Sequence, residues 1–414
     1  MKLEIKNFGP IKEGKIKTKK VTVLIGNQGS GKSTVAKLLA IFAEKEKNVF
    51  IHGKPSVNIL TDSDVLIGME FIKSLKYYCI QSYTEYETNL KYENAFCAFK
   101  LQYESLNKDP RDKHLCASWE NRKGKYLLPQ ITYFPSERNF VSSIKKTKGG
   151  SYRLDLQSLQ EFKEIFQEAK DNMTGSLKLP INDTEIIYDK ISEILYVIGK
   201  DYKIRLSNSA SGFQSFVPMF VVADYLSKLL KDGQEMNSGE RDMFKKQSAE
   251  ILNNHIFTDE QKRMLLSNLA SKINVSRTIN IIEEPEQNLY PSSQRSMLNS
   301  LLGYNNEVDG NELILTTHSP YILSYMMLAV KAAELREKAN GNEEILSKIY
   351  EIVPEKAITP MKDVVIYELN DDGTISELKQ VYGLPSNDNF LNNELGEVNT
   401  LFSELMEIED LCHE

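Results

Sequence analysis

Short apolar runs set the frame of this chain. Residues 21–25 (VTVLI) are almost unbroken in hydrophobicity, the pattern of a strand buried on both faces. Residues 131–134 (ITYF), 278–282 (TINII) and 312–315 (ELIL) have the same character, and residues 1–5 predict a further strand. A helical pattern over residues 292–302 separates TINII from ELIL, and strand, helix, strand predicts parallel pairing. Late in the chain, VVIYEL (364–369) and TISELKQV (374–381) flank a turn supplied by Asp372 and Gly373, which predicts a hairpin.

Other stretches carry a longer period. STVAKLLAIFA (33–43) predicts a helix directly behind the VTVLI strand. FKEIFQEAK (162–170) and YDKISEILYVIG (188–199) space apolar residues three and four apart, so residues 156–198 are expected to be mostly helical, as are 241–272. Residues 57–130 are rich in tyrosine and charge, with strand candidates at AFCAFKLQY (95–103) and HLCASWENR (114–122), and read as an insertion. KKTKGG (145–150) reads as a mobile loop. The expected division is an N-terminal lobe (1–56), the insertion (57–130), a core strand (131–140), a mainly helical subdomain (141–275), a C-terminal lobe (276–384) and a tail (385–414). Neither an internal repeat nor a heptad run long enough for a coiled-coil arm interrupts this order.

Composition narrows the class. With 41% hydrophobic and 26% charged residues in 414, the chain is globular, which excludes disordered, collagen-like and disulfide-scaffold classes. Fifty-one Lys plus Arg against 58 Asp plus Glu give a net charge of −7, so the molecule as a whole is no basic nucleic-acid coat. Local clusters at Lys15 to Lys20 and Lys145 to Arg153 leave DNA contact open. Cys79, Cys97, Cys116 and Cys412 lie far apart without CxxC spacing and predict reduced thiols in the cytoplasm. The longest apolar stretch, 216–226, is broken by Pro218 and Asp224, so no membrane association is expected.

Chemistry concentrates at four places. Residues 26–33 read GNQGSGKS, which fits G-x-x-x-x-G-K-[ST] between a strand and a helix. Gly26, Asn27, Gln28, Gly29, Ser30, Gly31, Lys32, Ser33 and Thr34 are therefore candidates to cradle a nucleotide's phosphates. In that pattern backbone N–H groups face the phosphates, Lys32 reaches the β- and γ-phosphates, and Ser33 ligates magnesium. Glu283 and Glu284 close the TINII strand, which puts two carboxylates at the carboxyl edge of a parallel sheet: Glu283 as a metal position, Glu284 as the group that polarises an attacking water. His318, at the end of the next strand (ELILTTH), comes to the same edge with reach for a γ-phosphate. SASGFQS (209–215) precedes an apolar helical run, a second anion-binding helix start.

The order of these four segments resembles the ABC-type ATPase family. Residues 26–33 look like its Walker A loop, Ser211-Gly212-Phe213-Gln214 like its signature, Glu283-Glu284 like Walker B and His318 like the switch histidine. MKLEIKNFGPIKEGKI, ITYFPSERN and EEPEQNLYP resemble the soluble branch related to SMC proteins and the OLD-like ATPases. The implied fold is an α/β P-loop NTPase head with a mixed central sheet, a helical subdomain and insertions. The implied assembly is a homodimer or higher homo-oligomer in which two heads sandwich two ATP molecules with Mg2+. Ser211, Gly212 and Gln214 then reach the partner's nucleotide, and residues 286–289 cross the interface. Two departures stand out: Glu283 replaces the usual Asp, and the Q-loop has no clear match, with Ser136 to Asn139 (SERN) the candidate.

The 96 residues after His318 are too few for a TOPRIM nuclease, and a hairpin turn accounts for Asp371 and Asp372. About 175 residues between loop and signature are too few for a long coiled-coil arm. The resemblance thus implies a compact switch that controls a separate effector, such as a nuclease, as in bacterial phage-defence systems. The alternatives are a DNA-repair or chromosome-associated ATPase and a transporter's nucleotide-binding subunit.

Overall fold

The computed structural model describes residues 1–52, 64–105, 113–122, 126–142, 157–231, 238–254, 257–270 and 275–412. Elements are numbered in chain order. A six-stranded central sheet runs β15 (Ile375–Glu377), β14 (Val364–Leu369), β3 (Val21–Gly26), β13 (Glu312–Thr316), β12 (Arg277–Glu283), β7 (Pro129–Phe134). Its five longer strands are parallel, and β15 returns antiparallel after Gly373 (φ 85°), the expected hairpin. All five parallel strands thus end at one edge.

Alternation along the strands divides the apolar side chains between two cores. Val21, Val23 and Ile25 of β3, Ile282 of β12 and Leu313 and Leu315 of β13 face one core. Leu24, Ile279, Ile281 and Ile314 face the other. This two-sided burial explains why these strands are mostly apolar, with Thr22 and Asn280 among their buried polar exceptions. On the first face pack α3 (Gln157–Asp171), α4 (Ser211–Lys231), α7 (Pro291–Asn306) and α8 (Pro320–Lys338), with α9 (Glu343–Ile352) against α8. On the second face lies α1 (Lys32–His52), covered in turn by α2 (Asp64–Tyr77) and an antiparallel sheet.

That sheet departs from expectation. Its order is β2 (Ile11–Lys17), β1 (Lys2–Phe8), β4 (Thr84–Glu93), β5 (Cys97–Ser105), β6 (Lys113–Asn121). The segment read as an insertion therefore continues the N-terminal hairpin, with Lys2 opposite Glu93 and Ile5 opposite Leu90. Phe42 of α1 stacks on Tyr92 of β4, tying sheet to helix.

A second departure lies at residues 176–198, within the stretch 156–198 that the three- and four-residue spacing predicted to be mostly helical; with 202–205 they build one sheet. They form a four-stranded antiparallel sheet, β8 (Ser176–Lys178), β9 (Glu185–Asp189), β10 (Ile194–Gly199) and β11 (Tyr202–Arg205). Ile186, Tyr188, Leu195 and Val197 face the core at a period of two. Ile187 and Tyr196 on the opposite face are also apolar and mask the alternation. The helical expectation holds for α5 (Ser238–Asn253) and α6 (Asp259–Ala270), and α10 (Phe390–Cys412) closes the chain's described part. The expected loop at 145–150 and the basic cluster from Lys145 to Arg153 lie outside the described residues. No helix among the described residues is long and apolar enough to cross a membrane.

Candidate functional site

The glycine-rich loop occupies the carboxyl end of β3, where every residue is buried. Gly26 (φ 144°) has no room for a side chain, because an added Cβ would stand 2.5 Å from Leu369 O on β14. At Gly31 (φ 102°) it would meet Pro10 and Ile11 at 3.0 Å. The loop is therefore pressed between β14 and the β1–β2 turn, and only glycine follows that path. Asn27 is held by Asp371, whose two carboxylate oxygens accept from its amide at 3.0 and 3.1 Å. Asp372 instead accepts from Thr374 within the hairpin turn. Gln28, Gly29 and Ser33 are exposed, Thr34 is buried, and the Ser30 hydroxyl is buried without a hydrogen-bond partner.

Lys32 is the first residue of α1, and only 5% of its surface is exposed. Its Nζ folds back to donate to Gly26 O (2.8 Å) and Asn27 O (2.6 Å). Burial pulls its pKa down to about 8, against the opposing pull of Glu284, Glu286 and Glu283. A cation bonded to loop carbonyls at the start of a helix is poised to exchange them for an anion.

The two glutamates at the end of β12 differ in surroundings. Glu283 is 2% exposed, and its Oε1 has no hydrogen-bond partner. Burial, then the nearby Glu283 charge, holds the Tyr133 phenol well above its ordinary value. Glu284 sits in the left-handed region (φ 42°), strained for a residue with a Cβ. Its N–H donates to Thr316 O at 3.0 Å, and its carboxylate Oε1 lies 3.8 Å from His318 Nε2. Both side chains remain open to solvent by more than a third. Burial and the Lys32 charge lower the His318 pKa, so the imidazole is neutral at neutral pH.

Glu286 orders this corner. One of its oxygens accepts from Thr317 Oγ1 (2.7 Å) and from the His318 N–H (2.8 Å), and the other is buried and unpartnered. The strands thus bring Lys32, Glu283, Glu284 and His318 to one edge, with β13 between β3 and β12.

The SGFQ segment is placed at the start of α4. Ser211 is exposed, and Gly212 lies so close to Asn288 that an added Cβ would stand 2.8 Å from its carbonyl. Gln214, expected at a nucleotide, turns inward: its amide donates to Ser209 O (2.7 Å) and Ser207 O (3.3 Å). Its side chain shapes the turn before the helix.

One residue at this edge carries more than sequence reasoning gave it. Arg138, in the 3-10 turn Ser136–Ser142 behind β7, is fully buried. It donates to Glu283 O (2.6 Å), Glu284 O (2.7 Å), Ser215 O (3.1 Å) and Pro135 O (3.2 Å). Burial pulls its pKa down to about 10, and the charges of Glu286, Glu284, Glu283 and Glu137 resist. The SERN motif pointed to this place, but nothing in it marked the arginine.

Three comparisons bear on this arrangement. The model of the AAA ATPase domain family matches residues 1–210 and 80–323. No curated protein matches the sequence. Among solved structures, an SMC head bound to the C-winged helix domain of ScpA aligns at 12% identity and a TM-score of 0.33, over 92% of this chain and 98% of that one. The SMC head domain from Thermotoga maritima aligns at 12% identity and 0.29, over 92% and 98%. An Smc head with an extended coiled coil bound to the C-terminal domain of ScpA, from Pyrococcus furiosus, aligns at 9% identity and 0.33, over 98% of each chain.

Proposed function

The chain belongs to the AAA ATPase domain family, an α/β P-loop ATPase fold, and on that premise we propose that it binds and hydrolyses ATP with Mg2+ in sites shared between two copies. The observation that carries this reading is the convergence of Lys32, Glu283, Glu284 and His318 at the carboxyl ends of three neighbouring parallel strands. Ligands of open α/β sheets bind at such an edge.

The residues present fit both the nucleotide and the metal. Gly26 and Gly31 keep the loop free of Cβ atoms, and Ser30 Oγ is a buried hydroxyl awaiting a partner. The Ser33 hydroxyl is exposed, and the unpartnered Glu283 Oε1 is an acceptor able to hold a metal-bound water, the oxygen donors that magnesium prefers. Bound magnesium supplies charge neutralisation between the phosphates. Lys32 exchanges the Gly26 and Asn27 carbonyls for phosphate oxygens. Glu284, next to His318 and open to solvent, orients the attacking water and accepts its proton. His318, neutral, donates one hydrogen bond toward the γ-phosphate, with its backbone held by Glu286.

Exposed aromatic residues support a shared site. Phe140, Tyr290 and Tyr321 are 58%, 76% and 47% exposed and follow β7, β12 and β13 at the same edge. Large aromatic side chains left in water beside a catalytic edge suit an interface. Ser211 and Gly212 on one copy then reach the nucleotide of the other, and residues 286–289 lie between the two sites. We further propose, from the sequence resemblance, a cytoplasmic switch that governs a separate effector in defence against phage. Lys32→Ala tests the reading: loss of ATP binding is expected, and wild-type affinity would refute it. Co-expression with the neighbouring gene tests the effector, whose activity must then change with the Lys32→Ala substitution.

A further inference from the structure

We infer that Arg138 is a positioning residue that couples the start of α4 to the hydrolytic glutamate of the same chain. This rests on the proposed function for the role of Glu284, and not for the geometry.

The segment after β12 is held in an unfavourable shape. Glu284 (φ 42°) occupies the left-handed region, a conformation that persists for a glutamate only where surrounding contacts enforce it, and Asn288 (φ 59°), a residue type that accepts this region, follows in the same turn. One direct bond and one bridge through Arg138 join this segment to a single residue of α4, Ser215, which is itself fully buried. Asn288 Nδ2 donates to Ser215 Oγ at 3.0 Å. Arg138 donates to Ser215 O and, through its other nitrogens, to Glu283 O and Glu284 O.

The guanidinium spends its bonds on main-chain oxygens. A planar fork with fixed donor directions fixes the relative positions of the carbonyls it holds, which a flexible ammonium does not. Pro218 adds to this, since it has no N–H for the carbonyl of Gln214, four residues earlier, and so loosens the helix's first turn where Ser215 is gripped. Gly212, one turn ahead of Ser215, packs on Asn288 O. Displacement of residues 211–215 is therefore transmitted to the backbone of Glu284 by two routes: Asn288, and the Arg138 fork.

The consequence is a link between two sites. If Ser211 and Gly212 engage the nucleotide of a second copy, the position they take sets Glu284 beside the nucleotide bound to their own chain. Hydrolysis in one site then depends on engagement at the other.

The test uses the full chain and three variants: Arg138→Met, which keeps length and loses the fork; Arg138→Lys, which keeps the charge; and Asn288→Gly, which keeps the backbone shape and loses the bond to Ser215. Two readouts are taken. In ATP turnover, Arg138→Met and Arg138→Lys are both expected to lower kcat about tenfold or more with KM within about threefold of wild type, and Asn288→Gly to lower it less. In hydrogen exchange without nucleotide, Arg138→Met is expected to speed exchange at residues 211–216 and 284–289 together, while β3, β13 and α1 keep their protection. Wild-type kcat in Arg138→Met, full rescue by Arg138→Lys, or exchange that rises at one segment only would overturn the coupling. If Arg138→Met does not fold, Asn288→Gly carries both readouts with the same signs. A wild-type chain that turns over no ATP would sink the proposed function, and the exchange pattern would still decide whether residues 211–215 and 284–288 are coupled through Arg138.

Discussion

Lys32 gives the sharpest quantitative consequence, through pH. Burial against the loop brings its pKa in the nucleotide-free chain to about 8, while a polyphosphate beside it restores the charged form to its ordinary range or above. ATP binding therefore takes up a proton whenever Lys32 starts neutral. Below pH 7 Lys32 of the free chain is already charged and adds no pH dependence to binding. Above it, affinity is lost as the pH climbs through 8. Between pH 7 and pH 9 the charged fraction of the free chain falls from about 0.9 to about 0.1, which weakens ATP binding about tenfold, equivalent to about 1.4 kcal/mol. Isothermal titration in two buffers of different ionisation enthalpy reads the uptake directly, about half a proton at pH 8. Lys45 and Lys47 also have pKa values pulled down by burial to about 8, but they lie beyond the first turns of α1. Their titration alters stability and not affinity. Lys32→Arg removes the uptake. Affinity that is flat from pH 7 to 9 in the wild type would show that Lys32 does not exchange loop carbonyls for phosphate.

Other substitutions separate strain from chemistry. Gly26→Ala forces a Cβ to within 2.5 Å of Leu369 O at a φ of 144° and is expected to cost about 2 kcal/mol or more in unfolding free energy and to abolish ATP binding; an unchanged Tm contradicts it. Glu284→Gly relieves the left-handed strain, so thermal unfolding is expected to rise by about 1 kcal/mol of stability while hydrolysis falls about 10²-fold or more; a lower Tm contradicts the strain argument. Glu283→Ala is expected to keep metal-free ATP binding and to lose the tightening that magnesium gives, and an undiminished magnesium effect would move the metal elsewhere.

Much of the site was legible because its chemistry demands local sequence. The loop 26–33 needs glycines where β14 and the β1–β2 turn crowd it, and the structure shows that crowding at Gly26 and Gly31. Glu283 and His318 each close an apolar run, so their arrival at one edge followed from parallel pairing alone. Arg138 was not legible. Its partners lie 77 and 145 residues away, and only the folded chain brings Ser215 and Glu283 to one guanidinium. The inward turn of Gln214 was equally illegible: the motif position suggested a ligand contact, and within the chain the side chain bonds carbonyls of its own turn. The strand candidates at 95–103 and 114–122 became β5 and β6, but β4 and the sheet's pairing with β1 escaped because that pairing joins residues about 90 positions apart, and β9 and β10 escaped because their solvent-side positions are apolar too.

The most direct measurement is the solution mass of Glu284→Gln by light scattering, with ATP and magnesium, with ADP, and without nucleotide, alongside the Ser211→Arg, Glu284→Gln double variant. A larger assembly that forms with ATP, disperses with ADP and fails to form when Ser211 is replaced is the predicted result. A mass that ignores the nucleotide, or an ATP-bound assembly that tolerates Ser211→Arg, would contradict a site built from two copies.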